Sequence, residues 1–370
     1  MNGELFDEEA AIESYCELTS KLNSHIYGTN KEFNEQFDED FIQEFGVIVI
    51  NGFKISPSEI LFYLKKESYD DSLSNWKAIK DEELKNQFEE LLEINSNFGR
   101  VQDLVELIKS KRVIPFIGAG LTVDCGMPTW SNFLMELGRE QRMDVTDLKE
   151  KIESGLFDEC ADQLLQKMQE IQFNEKYRHK FTLNGKVQGP VTFLPLLFTN
   201  GVITTNFDKV LESAYGGTVR VVEGVNSDWI NDLKKGKHQI YKIHGTMEGT
   251  ANRVLTKNEY DARYGNSGID FNLPLAKFLK TTTEVGSLFF IGCSLTVDRV
   301  IQVLAELKND HGSITHHYAL LQKPDDEEKL VERQDRLASV NILPIWYPEG
   351  EYEKVELLLR YIEMRIKGAV

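Results

Sequence analysis

From about residue 101 onward, short apolar runs alternate with segments of helical periodicity. This alternation constrains the fold more than any other feature of the chain. Val113–Ile117, Val202–Thr205, Val219–Val222, Ile240–Ile243, Leu288–Ile291, Tyr318–Leu321 and Ile342–Trp346 have the length and composition of strands. Phe157–Gln169, Lys209–Tyr215, Arg299–Leu307, Glu327–Ala338 and Glu353–Ile366 repeat their apolar residues at helical spacing. Strands that are apolar on both faces and joined by helices form a parallel sheet covered on each side. The expectation for residues 101–370 is an α/β fold built on a doubly wound, mostly parallel, Rossmann-like sheet.

Residues 1–100 read differently, as a smaller helical or α+β module. Ile12, Tyr15, Cys16, Thr19, Leu22 and Ile26 recur at helical spacing, and Gly28 is placed for a left-handed cap. Asn51-Gly52 lies between Val47–Ile50 and Phe53–Ile55, a hairpin signal, because both turn residues must tolerate positive φ. Ser56-Pro57-Ser58-Glu59 has the pattern of a capping box, with Ser56 as N-cap and Glu59 reaching back. An acidic helix is expected around Asp81–Glu93. With no catalytic constellation, the module reads as one for partner binding or oligomerisation.

Charge separates the two parts as well. The net charge is −18, and residues 1–100 hold 22 acidic against 9 basic side chains, a net of −13. So acidic a surface repels phosphate backbones, which argues against direct nucleic-acid binding. The tight basic cluster Lys234-Lys235-Gly236-Lys237-His238 reads as a surface turn. Cys16, Cys125, Cys160 and Cys293 are far apart, so neither a local zinc site nor a disulfide framework is expected. His316-His317 makes a poor metal pair, since neighbours on a strand point to opposite faces. The acidic start lacks the features of a secretory signal, and no apolar run reaches the roughly 18 residues of a membrane span. A reduced cytoplasm is the expected compartment.

The first strand of the sheet runs into Gly118-Ala119-Gly120-Leu121-Thr122, the place where a doubly wound sheet presents backbone to a dinucleotide pyrophosphate. Val123 stands where a third glycine would complete G-x-G-x-x-G, and a tight strand-to-helix turn explains the pair equally well. Thr129 is placed to cap the next helix. Three later strands also end in polar or small residues: Thr205-Asn206-Phe207-Asp208, Ile243-His244-Gly245 and Gly292-Cys293-Ser294-Leu295. Ligands of such sheets bind at this carboxyl edge, although Asn206, Asp208, Ser294 and Thr296 could each merely cap a helix.

In order and chemistry these motifs, with Gly126-Met127-Pro128, resemble the sirtuin-like (silent-information-regulator-type) family of NAD-consuming domains over about residues 105–346. Deacylases of that family follow Gly-Ile-Pro with Asp-Phe-Arg and carry a four-cysteine zinc module after His-Gly. Here Thr129-Trp130-Ser131 follows, and no cysteine lies between Gly245 and Gly292. The chain looks more like the bacterial antiphage-defence branch, whose members hydrolyse NAD+ and deplete it in the infected cell. The resemblance implies that Asn206 orients water or the ribose hydroxyls, that Asp208 holds the nicotinamide end, and that His244 accepts a hydrogen bond or proton. It further implies that Gly118, Ala119, Gly120, Thr122 and Thr205 serve the dinucleotide, with Gly292 and Ser294 near the adenosine ribose. NAD is the implied substrate, and no zinc or other metal is implied.

The same chemistry leaves room for an NAD-dependent ADP-ribosyltransferase, for a non-catalytic NAD or ADP-ribose sensor, and for a nuclease subunit of a defence complex. The family implies activity gated by self-assembly into a homo-oligomer or by a partner such as a HerA-class ATPase or an Argonaute-like protein. Only 24 residues follow Trp346, which favours a separate partner over a fused sensor domain.

Overall fold

The computed structural model describes residues 24–224, 229–249, 251–296, 299–311 and 315–369. The chain divides into two units, Met1–Gln87 and Phe88–Val370. The division comes earlier than the boundary expected at residue 100. Leu91, Leu92, Val101 and Leu104 all belong to a core of the larger unit. Asn97, fully buried, donates to the carbonyls of Leu91 and Trp346 and accepts from the Trp346 N–H at 2.8 Å.

In the smaller unit, Asn51 (φ +50°) and Gly52 (φ +83°) turn the antiparallel hairpin of β1 (Val49–Ile50) and β2 (Phe53–Lys54), as the Asn-Gly signal requires. Helix Pro57–Leu64 starts with Pro57 in its first turn, but Ser56 makes no side-chain cap bond. Asp38 caps it instead, taking the Ser56 hydroxyl and, at 2.6 Å, the Ser58 N–H. Phe33, Phe62 and Tyr69 form the core, and the Tyr69 hydroxyl donates to buried Asn34 at 2.6 Å. The acidic helix is longer than expected, Lys66–Glu93. Gly28 ends helix Ser24–Gly28 without a left-handed φ. The proposed helix through Ile12, Tyr15, Cys16, Thr19 and Leu22 lies outside the described residues.

The larger unit is a seven-stranded, wholly parallel sheet. Its strands are β3 (Val113–Ile117), β4 (Val202–Thr204), β5 (Arg220–Glu223), β6 (Gln239–Lys242), β7 (Ser287–Ile291), β8 (His317–Gln322) and β9 (Ile342–Tyr347), in spatial order β5-β6-β4-β3-β7-β8-β9. All seven lie where the apolar runs predicted them. Successive residues point to opposite faces. Val113 and Ile117 of β3 therefore join one core with helices Asn97–Lys109 and Glu353–Lys367, while Ile114 and Phe116 join another with Pro274–Val285 and Arg299–His311. The chain fills one side of β3 with β4, β5 at the edge and then β6 between them, and restarts at β7 on the other side of β3. The crevice between β3 and β7 is thus the topological switch point, where such sheets bind ligands.

Between β3 and β4 the chain inserts the helices Trp130–Glu140, Val145–Glu153, Phe157–Lys167 and Glu170–Lys180, followed by the short helix Leu194–Leu197. Thr129 caps the first, accepting from the Asn132 N–H at 3.2 Å, and Asp144 caps the second. The inserted helices have their own core, around Phe133, Leu164, Phe173 and Tyr177, which also takes in Phe207 and Met247 from the sheet's edge.

Candidate functional site

A cleft of about 800 Å³ follows the carboxyl ends of β6, β4, β3, β7, β8 and β9, in the range of small-molecule and cofactor sites. Gly118, Ala119, Gly120, Thr205, Asn206, Asp208, His244, Gly292 and Ser294 all line it. Thr122 does not. It is fully buried behind the lining, where its hydroxyl donates to the Ala119 carbonyl (3.2 Å) and lies 3.5 Å from the Asn206 amide and 3.4 Å from Asp208. Its role is to brace the two strand-end loops against each other.

The glycines have a steric reason independent of any ligand. A Cβ on Gly118 would lie 2.4 Å from the Gly292 carbonyl oxygen, and one on Gly292 (φ +71°) would lie 2.3 Å from the Leu121 nitrogen. The loops after β3 and β7 interlock here, with the Gly120 N–H donating to Gly292 and the Gly118 N–H to Ile291, both at 2.9 Å. Those two N–H groups are consumed within the protein, so they do not form the phosphate cradle that the Gly-Ala-Gly motif suggests. After Gly118 the chain winds into a 3-10 helix, Ala119–Cys125, rather than an α-helix. Beside Ser294, buried Leu295 adopts φ +49°, a strained backbone for a side chain of its kind.

Asn206 is nearly buried, and its amide nitrogen donates to the Gly118 carbonyl at 3.2 Å. Its own N–H donates to Thr204 Oγ1 at 2.9 Å, which fixes the turn after β4. Asp208 accepts the Val210 N–H at 2.9 Å, a turn that leads into helix Val210–Ala214, whose N-cap position is Lys209. Burial raises its carboxyl pKa, opposed chiefly by the nearby Lys242 ammonium. Lys242 itself is a fully buried cation at the end of β6, 3.0 Å from Glu212 and bonded to the Asp208 carbonyl. Sequence inspection passed over it because a lysine in a strand ordinarily marks an exposed face.

His244 Nε2 lies 3.0 Å from the Tyr264 hydroxyl, and the ring meets Tyr260 and Tyr264 edge-on. Burial pushes the imidazole pKa down to about 3, so the ring is neutral at working pH. Trp130 and Phe181 form an aromatic wall with Phe207, at ring separations of 5.6 and 6.1 Å. The segment between β6 and β7 supplies helices Lys257–Tyr264 and Pro274–Val285, which bring in Tyr260 and Tyr264. Arg299 and Arg333 also line the cleft. Trp130 and Phe207 stand in the strand-end and loop motifs, whereas Tyr260, Tyr264, Arg299 and Arg333 lie on helices, where they look like ordinary amphipathic residues. Among the described residues no three His, Cys, Asp or Glu side chains cluster as metal ligands, and no helix is long and apolar enough to cross a membrane.

Comparison with known proteins agrees with this architecture. The chain is 24% identical to the NAD(+) hydrolase ThsA of Bacillus cereus (strain MSX-D12) over 282 residues, covering 72% of this chain and 57% of the relative. It is 25% identical to the NAD(+) hydrolase ThsA of Cytobacillus dafuensis over 235 residues, covering 60% and 44%. The chain thus spans about half the length of these relatives. A shorter match, 30% identical over 120 residues, is to a flavin-dependent thymidylate synthase of Rickettsia conorii (strain ATCC VR-613 / Malish 7), covering 30% of this chain and 40% of the relative. The family model of the SIR2-like domain matches residues 200–345, from just before β4 into β9.

Proposed function

We propose that the cleft binds NAD+ and that the chain hydrolyses its nicotinamide–ribose bond, releasing nicotinamide and ADP-ribose. The observation that carries this reading is the convergence of Asn206 and a neutral His244 on one cleft at the switch point, in a chain similar to two NAD(+) hydrolases. Nicotinamide leaves as a neutral group, so the bond breaks through an oxocarbenium-like state that needs positioning and charge stabilisation more than covalent help. The Asn206 amide oxygen, which no group among the described residues engages, orients the attacking water or the ribose hydroxyls. His244 accepts the hydrogen bond or proton of a ribose hydroxyl, a role open to it because its ring is unprotonated. Asp208 acts on the nicotinamide end from a loop that it also holds in shape.

Incubating the pure chain with NAD+ and following free nicotinamide tests the proposal. Asn206→Ala and His244→Ala should each lower the rate by about 10²–10⁴-fold while the fold survives. Wild-type turnover in both variants would overturn the site assignment. A chain that binds ADP-ribose yet never releases nicotinamide, whatever its assembly state, would be a sensor instead. ADP-ribose found on an acceptor other than water would make it a transferase.

Hydrolysis of a central cofactor must be restrained in a healthy cell, so the proposed setting is antiphage defence by NAD depletion, gated by assembly or by a partner. The acidic residues 1–100 offer a surface for a sister subunit or a basic partner protein. Neutralising charges there should change sedimentation and leave the chemistry at His244 intact. Activity indifferent to assembly state and to any neighbouring gene product would refute the gating.

A further inference from the structure

One cation in the cleft, Arg333, has no carboxylate partner among the described residues. Arg333, on helix Glu327–Ser339, reaches the cleft beside Ser294 and the end of β8. Its Nη2 donates to the Ser294 carbonyl at 3.1 Å and its Nη1 to the Gln322 carbonyl at 3.4 Å, while the guanidinium lies 5.9 Å over the Trp346 ring. Its Nε is buried with no acceptor. Among the described residues no carboxylate stands within ion-pair distance of it, whereas neighbouring Arg299 is satisfied by Asp261 at 3.0 Å. The two carbonyls align the guanidinium but do not neutralise it, and burial together with nearby Arg336 makes its charge less favourable.

The chemistry of the surroundings narrows what would pair with it. Among the described residues Asp124 and Asp208 are the carboxylates that line the cleft. Asp124 packs against Gly189, and Asp208 follows β4, three strand positions from β8. Among the described residues the Ser294–Gln322 end therefore has no carboxylate to chelate the hydroxyls of an adenosine ribose. In dinucleotide-binding doubly wound sheets an acidic residue beside the adenosine ribose selects the 2′-hydroxyl, and a nearby arginine accommodates a 2′-phosphate. With the glycine-loop N–H groups of Gly118 and Gly120 already bonded, a positive side chain is also the stronger anion donor available.

We propose that Arg333 forms a phosphate subsite at this end of the cleft, taking the 2′-phosphomonoester of an adenosine ribose, so that the chain accepts NADP+ alongside NAD+. The inference rests on the dinucleotide reading above. A charge-assisted contact to a phosphomonoester is worth about 1.5–3 kcal/mol, or about tenfold and more in affinity.

Calorimetric titration of the full chain with ADP-ribose and with 2′-phospho-ADP-ribose tests this apart from turnover. Wild type should bind the phosphorylated ligand about tenfold more tightly. Arg333→Gln should reduce that preference to about twofold or less and keep its affinity for ADP-ribose, while Arg333→Lys, which keeps the charge, should retain most of the preference. Equal wild-type affinities would overturn the subsite and leave the dinucleotide reading standing. Equal losses for both ligands in a folded Arg333→Gln would also overturn it, by assigning the side chain to the pyrophosphate. Should Arg333→Gln fail to fold, the lysine variant decides, since loss of preference there contradicts a charge-based subsite. Binding of neither ligand to wild type would remove both this proposal and the reading beneath it.

Discussion

The His244 imidazole and the Tyr264 hydroxyl form a buried pair, Nε2 to oxygen 3.0 Å, with the tyrosine fully shielded. The pair sets the orientation of the ring, and burial sets its charge. Tyr264 comes from helix Lys257–Tyr264 and His244 from the turn after β6, so one hydrogen bond ties the catalytic candidate to a separate element. Tyr264→Phe should leave the ring in place but less well aimed. The expected result is about a tenfold fall in NAD+ turnover with little change in melting temperature, read from parallel kinetics and calorimetry.

A neutral His244 also shapes the response to pH. The rate should show no acid limb near pH 6.5, the ordinary imidazole value, and a limb there would contradict the assigned state. Stability behaves differently. His244 and His317 are held at about 3 and about 4, chiefly by burial, and His317 Nδ1 accepts the Leu288 N–H at 3.1 Å, a bond that protonation would break. Below pH 6.5 the unfolded chain binds protons that the folded chain refuses, so stability is lost as pH falls from about 6.5 toward 4. At about 1.4 kcal/mol per unit, pH 5 should cost roughly 2 kcal/mol for each residue. Urea unfolding at pH 7 and pH 5 would measure it, and His244→Gln should flatten the slope.

Two glycines should respond to alanine for different reasons. Gly118→Ala drives a Cβ into the Gly292 carbonyl and Cys293 sulfur, at 2.4 and 2.8 Å, and should cost about 3 kcal/mol. Gly126 has φ +82° but open space around it, so Gly126→Ala should cost only the backbone penalty of about 1–2 kcal/mol. Similar costs from thermal melts would show that the interlock of the β3 and β7 loops is softer than described.

Lys242→Met removes the cation from a buried pair and leaves Glu212 beside an apolar side chain. Loss of one partner of such a pair costs about 3–5 kcal/mol. Lys242→Met with Glu212→Gln should recover part of that loss, since no buried charge then stands alone. Failure of the double variant to regain stability would place the lysine's worth in its bond to the Asp208 carbonyl.

The sheet was legible in the sequence because its strands, apart from the edge strand Arg220–Glu223, are short runs buried on both faces, from Val113–Ile117 to Ile342–Tyr347. The strand-end motifs were legible for a related reason: polar residues directly after such a run have the sheet's carboxyl edge as their location. The inserted helices were less so. Glu170–Lys180 buries Phe173 and Tyr177 among eleven residues that are mostly polar, and its packing depends on Phe133 and Phe181 from elsewhere. Ser56 had every local mark of a cap, but Asp38, 18 positions away, had the better geometry. Arg333 and Tyr264 were invisible for the same reason, as contacts across 39 and 20 positions leave no local pattern.

The cleft runs past the ends of six neighbouring strands, from His244 after β6 to Tyr347 of β9. At roughly 4.8 Å per strand that edge is about 24 Å long. The sheet therefore works as a ruler. A compact mononucleotide can touch one end or the other, but only an elongated molecule meets both, so length itself becomes a criterion of recognition before any single hydrogen bond is weighed.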